Sequence, residues 1–317
     1  MTGSGSPVAG RRVLFFGTPG FALPSLEALW GAGALLEVVT RPPRPAGRGH
    51  RVAESPVARA AQGMGIAVHT PERLGDGALV ARLRAFGPDF VVTVAYGRIL
   101  PSWLLELPRV AAVNLHPSPL PALRGPAPIV RALLAGMTTT AVAVIHMAAT
   151  ADTGDIIAME PAPILPRDDL GQLTDRLARQ GAGLLVRSLA DLALGRAARR
   201  PQAGEASWAP VLAERERWLD FTRSAVELER TVRALAPAPG ALLTVAGHRL
   251  KVLAASPEEG AGPAGVILGD RGGALRVACG EGVLALARVV PAGRPAMDGA
   301  AFLRGHPDLP GARCLVP

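Results

Sequence analysis

Through the first half of the chain, short apolar runs alternate with stretches whose apolar residues recur at helical spacing. A chain patterned that way buries its apolar faces by stacking strands and helices in layers. Val13 to Phe16 is the first apolar run. It is followed by Gly17-Thr18-Pro19-Gly20 and then by helical spacing through Leu26 and Leu29, which reads as strand, tight turn, helix. Further strands are expected at residues 35–39, 66–69, 90–95, 112–115 and 140–147. Between them a helix is expected from Pro56 to about Met64, with Ser55 as its N-cap and Pro56 at its first position, and others near residues 78–86 and 128–135. Strands alternating with helices predict an α/β domain built on an open, mainly parallel sheet.

Helical spacing returns from Asp169 to about Leu194, and residues 196–207 then form a polar stretch with Pro and Gly and no periodicity. A domain linker is expected there. Beyond it come one helical segment, residues 224–235, and short runs at 242–245, 250–253, 265–268, 274–278 and 283–289, punctuated by glycine. That pattern predicts a small β-rich domain, a barrel. The expected organisation is therefore 1–195, a linker at 196–207, and 208–317. At 317 residues, 49% of them hydrophobic, the chain has enough apolar content for two cores.

The formal charge of +8 suits a polyanionic partner. Of the 34 basic residues, however, only Lys251 is lysine, a bias that makes placement more informative than number. One placement stands out. The loop from Arg41 to Ala53 carries Arg41, Arg44, Arg48 and Arg51 with no acidic residue, and its Gly and Pro content excludes a stable helix. Cys279 and Cys314 lie far apart, without the paired spacing of a metal site or disulfide framework, which fits a reducing compartment. No apolar run reaches the roughly 18 residues of a membrane span, and the N-terminus lacks a signal-peptide pattern. A cytoplasmic protein that makes no membrane contact is expected.

Chemistry concentrates at one strand end. In Asn114-Leu115-His116 the two polar residues are two apart at the end of an apolar strand, so they share a face just where the Pro-rich loop of residues 117–125 begins. Ligands of open α/β sheets sit beyond the carboxyl ends of strands. Asp152-Thr153-Gly154-Asp155 follows the strand that ends near Met147, and an Asp there reaches His116 if the two strands are neighbours. Singly, a strand-end histidine is usually solvated and an Asp-Thr-Gly turn is usually a cap. Three such residues converging on one sheet edge make a candidate site. Nicotinamide binding is disfavoured, because Gly-Thr-Pro-Gly after the first strand lacks the three-glycine fingerprint.

The motifs Phe16-Gly17-Thr18-Pro19, Arg44 to Gly49, Ala95-Tyr96-Gly97, Asn114 to Arg131 and Asp152 to Asp155 resemble those of methionyl-tRNA formyltransferases, in order and in spacing. The resemblance continues through Asp220-Phe221, Val232 to Pro237 and residues 282–305, and so spans nearly the whole chain. It implies a Rossmann-like catalytic domain followed by an OB-like barrel that binds tRNA. The implied reaction moves the formyl group of 10-formyltetrahydrofolate to the α-amine of methionine on initiator tRNA, by a monomer that needs no metal. Asn114 and His116 would stabilise charge on the formyl oxygen, a device worth about 3 to 4 kcal/mol per donor. Asp152 would orient His116 and take up protons, a contribution of roughly 10²- to 10⁴-fold. The pterin would be held near Val94, Ala95, Tyr96 and Gly97 and by the loop of Ser118, Pro119, Leu120 and Pro121. Arg41, Arg44, Arg48 and Arg51 would meet the tRNA acceptor stem, Arg48 foremost. Pro117, Pro119 and Leu123 depart from the family's usual residues, and the family's usual Lys after the linker is absent, with Leu212 nearby. A formyltransferase acting on a nucleotide-sugar amine would share Asn114, His116 and Asp152 but has no need of the Arg-rich loop.

Overall fold

The computed structural model describes residues 6–46 and 51–316. Its first half runs β1 (Arg12–Gly17), α1 (Leu23–Gly31), β2 (Leu35–Val39), β3 (Arg44–Ala46), β4 (Arg51–Ala53), α2 (Pro56–Gly63), β5 (Ala67–His69), α3 (Gly77–Phe86) and β6 (Phe90–Val94). There follow α4 (Ser102–Leu105), β7 (Ala111–His116), α5 (Pro128–Leu134), β8 (Thr139–His146), β9 (Ile156–Pro163) and α6 (Leu170–Ala193). Seven of these strands form one sheet in the order β5-β2-β1-β6-β7-β8-β9. The first five are parallel, while β8 and β9 run antiparallel at one edge, so the sheet is mainly parallel as expected.

Leu14, Phe15, Phe16, Val91 and Val92 are fully buried, as central parallel strands covered on both faces must be. Strand order reverses between β1 and β6, and such a switch point opens a crevice at the strands' carboxyl ends. Thr18 crosses it, its hydroxyl donating to the Tyr96 carbonyl at 3.2 Å. Ser55 caps α2 as the sequence predicts, accepting the Ala58 N–H at 2.9 Å. α6 lies close against β7 because Gly181 has no side chain; a Cβ there would stand 2.8 Å from a Leu115 methyl.

β9 carries Pro161 and Pro163, which hid it in the sequence. Proline is tolerated at a sheet edge, which is where β9 lies. β3 and β4 pair as a two-stranded hairpin within the arginine-bearing loop of residues 41–53.

Two compact units emerge from the packing: Met1–Pro126 with Thr139–Pro163 and Thr174–Ala209, and Ala127–Thr138 with Ile164–Leu173 and Pro210–Pro317. The stretch expected as a linker, residues 196–207, belongs to the first unit, where Arg200 bridges antiparallel to Ile156. Its lack of periodicity reflects an irregular course along the β9 edge.

The second unit contains α5, α7 (Ala225–Leu235), β10 (Ala241–Val245), β11 (His248–Glu258), β12 (Ile267–Arg271), β13 (Ala274–Ala278), β14 (Val283–Pro291), β15 (Met297–Asp298), α8 (Gly299–Arg304) and β16 (Cys314–Leu315). The strand order is β12-β13-β14-β11-β10-β16, all antiparallel. The two ends meet: Val266 bridges to Arg313, Ile267 N–H donates to the Ala312 carbonyl at 2.9 Å, and Cys314 N–H donates to the Gly265 carbonyl at 2.7 Å. The sheet closes on itself, which removes the exposed edges an open sheet would present. Phe221, Leu228, Val232, Leu250, Leu275, Leu286 and Phe302 fill the interior. A reciprocal capping box starts α7, with Ser224 accepting the Glu227 N–H at 3.3 Å and Glu227 accepting the Ser224 N–H at 3.1 Å. Among the described residues no helix is long and apolar enough to cross a membrane.

Candidate active site

β7 ends with Asn114 and His116 on one face, and its neighbour β6 places Thr93 directly opposite Asn114. The Thr93 hydroxyl donates to Asn114 Oδ1 at 2.8 Å, which fixes the amide so that Nδ2 faces the other way. Nδ2 donates one hydrogen to Asp152 Oδ1 at 3.2 Å, and its second hydrogen has no partner among the described residues.

Asp152 sits in a left-handed conformation, φ 57°, at the turn that joins β8 to β9. The turn is tight: a Cβ on Gly154 would lie 1.8 Å from the His146 carbonyl oxygen, so only glycine fits. Both carboxylate oxygens are engaged, Oδ1 by Asn114 and Oδ2 by the Gly125 N–H at 2.8 Å. His116, 5% exposed, presents Nδ1 to Asp152 Oδ1 at 3.5 Å. On its other side Nε2 donates to the Leu123 carbonyl at 3.0 Å, and Leu123 itself holds φ 58° to turn that carbonyl inward. The three residues expected to carry chemistry are thus brought together. His116 Nε2 is taken up by the loop, so only Nδ1 remains for reaction. Nearby His146 keeps a ring nitrogen buried and unpartnered among the described residues, and burial, with the Arg199 charge, pushes its pKa down.

Sequence reasoning missed the groups that position this cluster. Thr93, the Leu123 carbonyl and the Gly125 N–H carry no motif signal, because they act through register and backbone. Gln202, from the stretch expected as a linker, donates to the Asp152 and Gly154 carbonyls at 2.8 and 2.9 Å.

Val94 to Gly97 form the carboxyl end of β6. Ala95 and Gly97 are exposed with φ 49° and 78°, while Tyr96 is buried edge-to-face on Phe16, ring centroids 5.2 Å apart. Burial pushes the Tyr96 phenol pKa up, with Arg98 and Arg41 opposing. In the loop after β7, the Ser118 hydroxyl donates to the Ala122 carbonyl at 2.7 Å, and Leu120 packs with Ala143, Ile145 and Ile156. Those two side chains therefore shape the loop. Pro119 remains partly exposed, and Pro121 follows a cis peptide bond.

Three of the four arginines expected to meet nucleic acid lie among the described residues. Arg44 is exposed on β3, and Arg51 lies on β4, paired with Ala46. Arg48 lies outside the described residues. Arg41 is instead packed beside Gly97, with its Nε buried and unpartnered among the described residues.

Residues 11–189 match the formyl transferase family, and residues 212–307 match the formyl transferase C-terminal domain. A methionyl-tRNA formyltransferase of Halorhodospira halophila is 45% identical over 95% of this chain and 98% of its own length. That of Thermus thermophilus is 42% identical over 95% of this chain and 98% of its own. Among solved structures, an N-formyltransferase from Helicobacter canadensis, in complex with folinic acid and dTDP-3-aminofucose, superposes with a TM-score of 0.63 at 15% identity, covering 87% of this chain and 99% of that one. At that identity the likeness speaks for the fold alone. The two family segments and the near-complete coverage by these relatives agree, and the chain belongs to the methionyl-tRNA formyltransferase family.

Proposed function

We propose that this chain transfers the formyl group of 10-formyltetrahydrofolate to the α-amine of methionine on initiator methionyl-tRNA, in the cytoplasm, acting as a monomer. The observation that carries the chemistry is the Asp152 carboxylate, held through both oxygens beside an Asn114 amide whose second hydrogen has no partner among the described residues. That pairing suits attack of a neutral amine on a formyl carbon. That second Asn114 hydrogen stabilises the oxygen as it gains charge. Asp152, reached directly or through water, accepts the proton the amine loses as the new C–N bond forms. His116 Nδ1, unprotonated in the tautomer whose Nε2–H donates to the Leu123 carbonyl, lies 3.5 Å from Asp152 Oδ1 and takes that proton on. When the bond from the formyl carbon to the folate nitrogen breaks, that proton passes to the leaving nitrogen.

The exposed backbone of Ala95 and Gly97 offers hydrogen-bonding groups to a pterin at the switch-point crevice. Folinic acid bound to the Helicobacter canadensis neighbour supports a folate-derived donor. For the acceptor, the hairpin carrying Arg44 and Arg51, with Arg48 between them, supports contact with tRNA phosphates. The two Cys residues are free and buried, which suits a reducing compartment.

The test is formyl transfer from 10-formyltetrahydrofolate to charged initiator tRNA, with a nucleotide-linked amino sugar as the competing acceptor. Transfer to the sugar alone would reject the tRNA assignment.

A further inference from the structure

Residues 200–209 run beside both loops that shape the site. Arg200 and Ile156 exchange two backbone hydrogen bonds of 2.7 and 3.1 Å. Ser207 accepts the Leu123 N–H on its hydroxyl at 2.9 Å and the Arg124 N–H on its carbonyl at 2.9 Å. Ala209 N–H donates to the Arg124 carbonyl at 2.6 Å. Between these anchors lies the half-buried Gln202, which belongs to neither loop and bonds to both. Its Nε2 donates to the Asp152 carbonyl at 2.8 Å and the Gly154 carbonyl at 2.9 Å. Its Oε1 accepts Arg124 Nε at 3.1 Å and Nη2 at 2.7 Å. Carbonyls only accept and a guanidinium only donates, so the amide has one permitted orientation, with both hydrogens and the oxygen engaged. A carboxylate in its place would oppose two carbonyl oxygens. The residue lies between the two matched family segments.

We propose that Gln202 is a positioning residue for the transfer reaction. It fixes the left-handed backbone of Asp152. Through Arg124 it also fixes the adjoining Gly125 N–H, which binds Asp152 Oδ2, so the carboxylate meets Asn114 and His116 in a single geometry. Gln202 touches neither the reacting atoms nor the three side chains directly; it acts on the loops that present them. The kinetic part of the claim rests on the reaction proposed above.

The test uses the full chain with Gln202→Ala, and with Gln202→Met to keep the side chain's length while removing its hydrogen bonds. Since displacing a catalytic group by about 1 Å can cost up to 10²-fold, kcat should fall at least about tenfold. KM for either substrate should stay within about twofold, because no binding group is lost. In an Asp152→Ala background, adding Gln202→Ala should cost less than about twofold more, since the route through Asp152 is already gone. Independently of any acceptor, the Gly125 amide should exchange with solvent deuterium at least about tenfold faster in both single variants. Wild-type kcat, unchanged exchange at Gly125, or a loss fully additive with Asp152→Ala would overturn the proposal. So would unfolding of both variants at the assay temperature, which would make the role purely structural. If the wild type fails to formylate charged tRNA, the acceptor assignment falls, and Gly125 exchange alone decides the role of Gln202.

Discussion

Asn114 and Asp152 are joined by one hydrogen bond, Nδ2 to Oδ1 at 3.2 Å, and Thr93 aims the amide by binding its oxygen from the other side. In the proposed mechanism one side chain thus supplies a donor to the substrate while holding the proton acceptor in place. Asn114→Ala and Asp152→Ala should each lower kcat at least about 10²-fold with the fold intact. The double variant should lose much less than the product of the two, because the residues act as a unit. Steady-state kinetics with circular dichroism as the folding control checks both, and full multiplicativity would mean independent roles.

Gly154 decides whether the Asp152 turn can form at all. A methyl group there would overlap the His146 carbonyl, a backbone atom that cannot rotate away. Gly154→Ala should therefore cost about 1 to 3 kcal/mol of stability and displace Asp152. Thermal melting would show the first effect, and a kcat loss larger than the loss in folded fraction would show the second. A variant melting like the wild type would mean the turn relaxes freely.

How far the site was legible follows from what its residues do. Asn114, His116 and Asp152 stood out because they are polar side chains at apolar strand ends, and their meeting needs only that β7 and β8 be neighbours. The central strands were equally plain, since buried parallel strands read as unbroken apolar runs. Gln202 was hidden, because a single polar residue in an irregular stretch has no periodicity to betray it. The Leu123 carbonyl and the Gly125 N–H were beyond reach for another reason: any residue supplies a backbone group. β9 was concealed by its prolines, and β15 and β16 by having only two residues each. Arg41 shares the loop's sequence with the hairpin arginines, but it follows two residues after β2 and packs beside Gly97.

The barrel's thiols should be inert. Burial pushes the Cys279 thiol pKa up to about 11 and the Cys314 thiol to about 12, and the thiolate is the reactive form. Labelling by a thiol reagent at neutral pH should be at least about 10²-fold slower in the native protein than after denaturation, since a thiol's ordinary pKa is near 8.5. Rapid native labelling of either residue would contradict its burial.

Arg131 and Glu216 tie α5 to the segment before α7, and Arg131 also donates to the Pro210 carbonyl at 3.0 Å. The Arg131 hydrogen bond, with lesser help from the Ala213 N–H, holds the Glu216 carboxyl down at about 2, against an ordinary 4.5. A depressed folded-state value means the contact stabilises above the ordinary pKa and loses that effect as pH falls from 4.5 towards about 2. Glu216→Gln should therefore melt below the wild type at neutral pH, with the gap closing over that acidic window. A gap of constant size would show that charge contributes nothing there.

The remaining prediction concerns the hairpin of β3 and β4, whose arginines are proposed to meet tRNA phosphates. Each such contact releases condensed counterions when it forms, so affinity falls linearly on a logarithmic salt scale, with a slope set by the number of phosphates neutralised. Removing one phosphate contact should reduce that slope by about 1 and weaken binding whatever the RNA sequence. Arg44→Ala tests an exposed side chain on β3, and Arg48→Ala tests the position the family resemblance marks out. Arg41→Ala is the contrast: with its Nε buried beside Gly97, its loss should disturb the Tyr96 end of β6 and folate affinity more than the salt slope. Affinities for charged initiator tRNA and for a folate analogue, measured from about 50 to 200 mM salt, separate the two outcomes. If Arg44→Ala and Arg48→Ala leave the slope unchanged, the hairpin does not touch the backbone and the tRNA must be held elsewhere. If either weakens folate binding as much as tRNA binding, the division between a hairpin for the acceptor and a crevice for the donor is wrong.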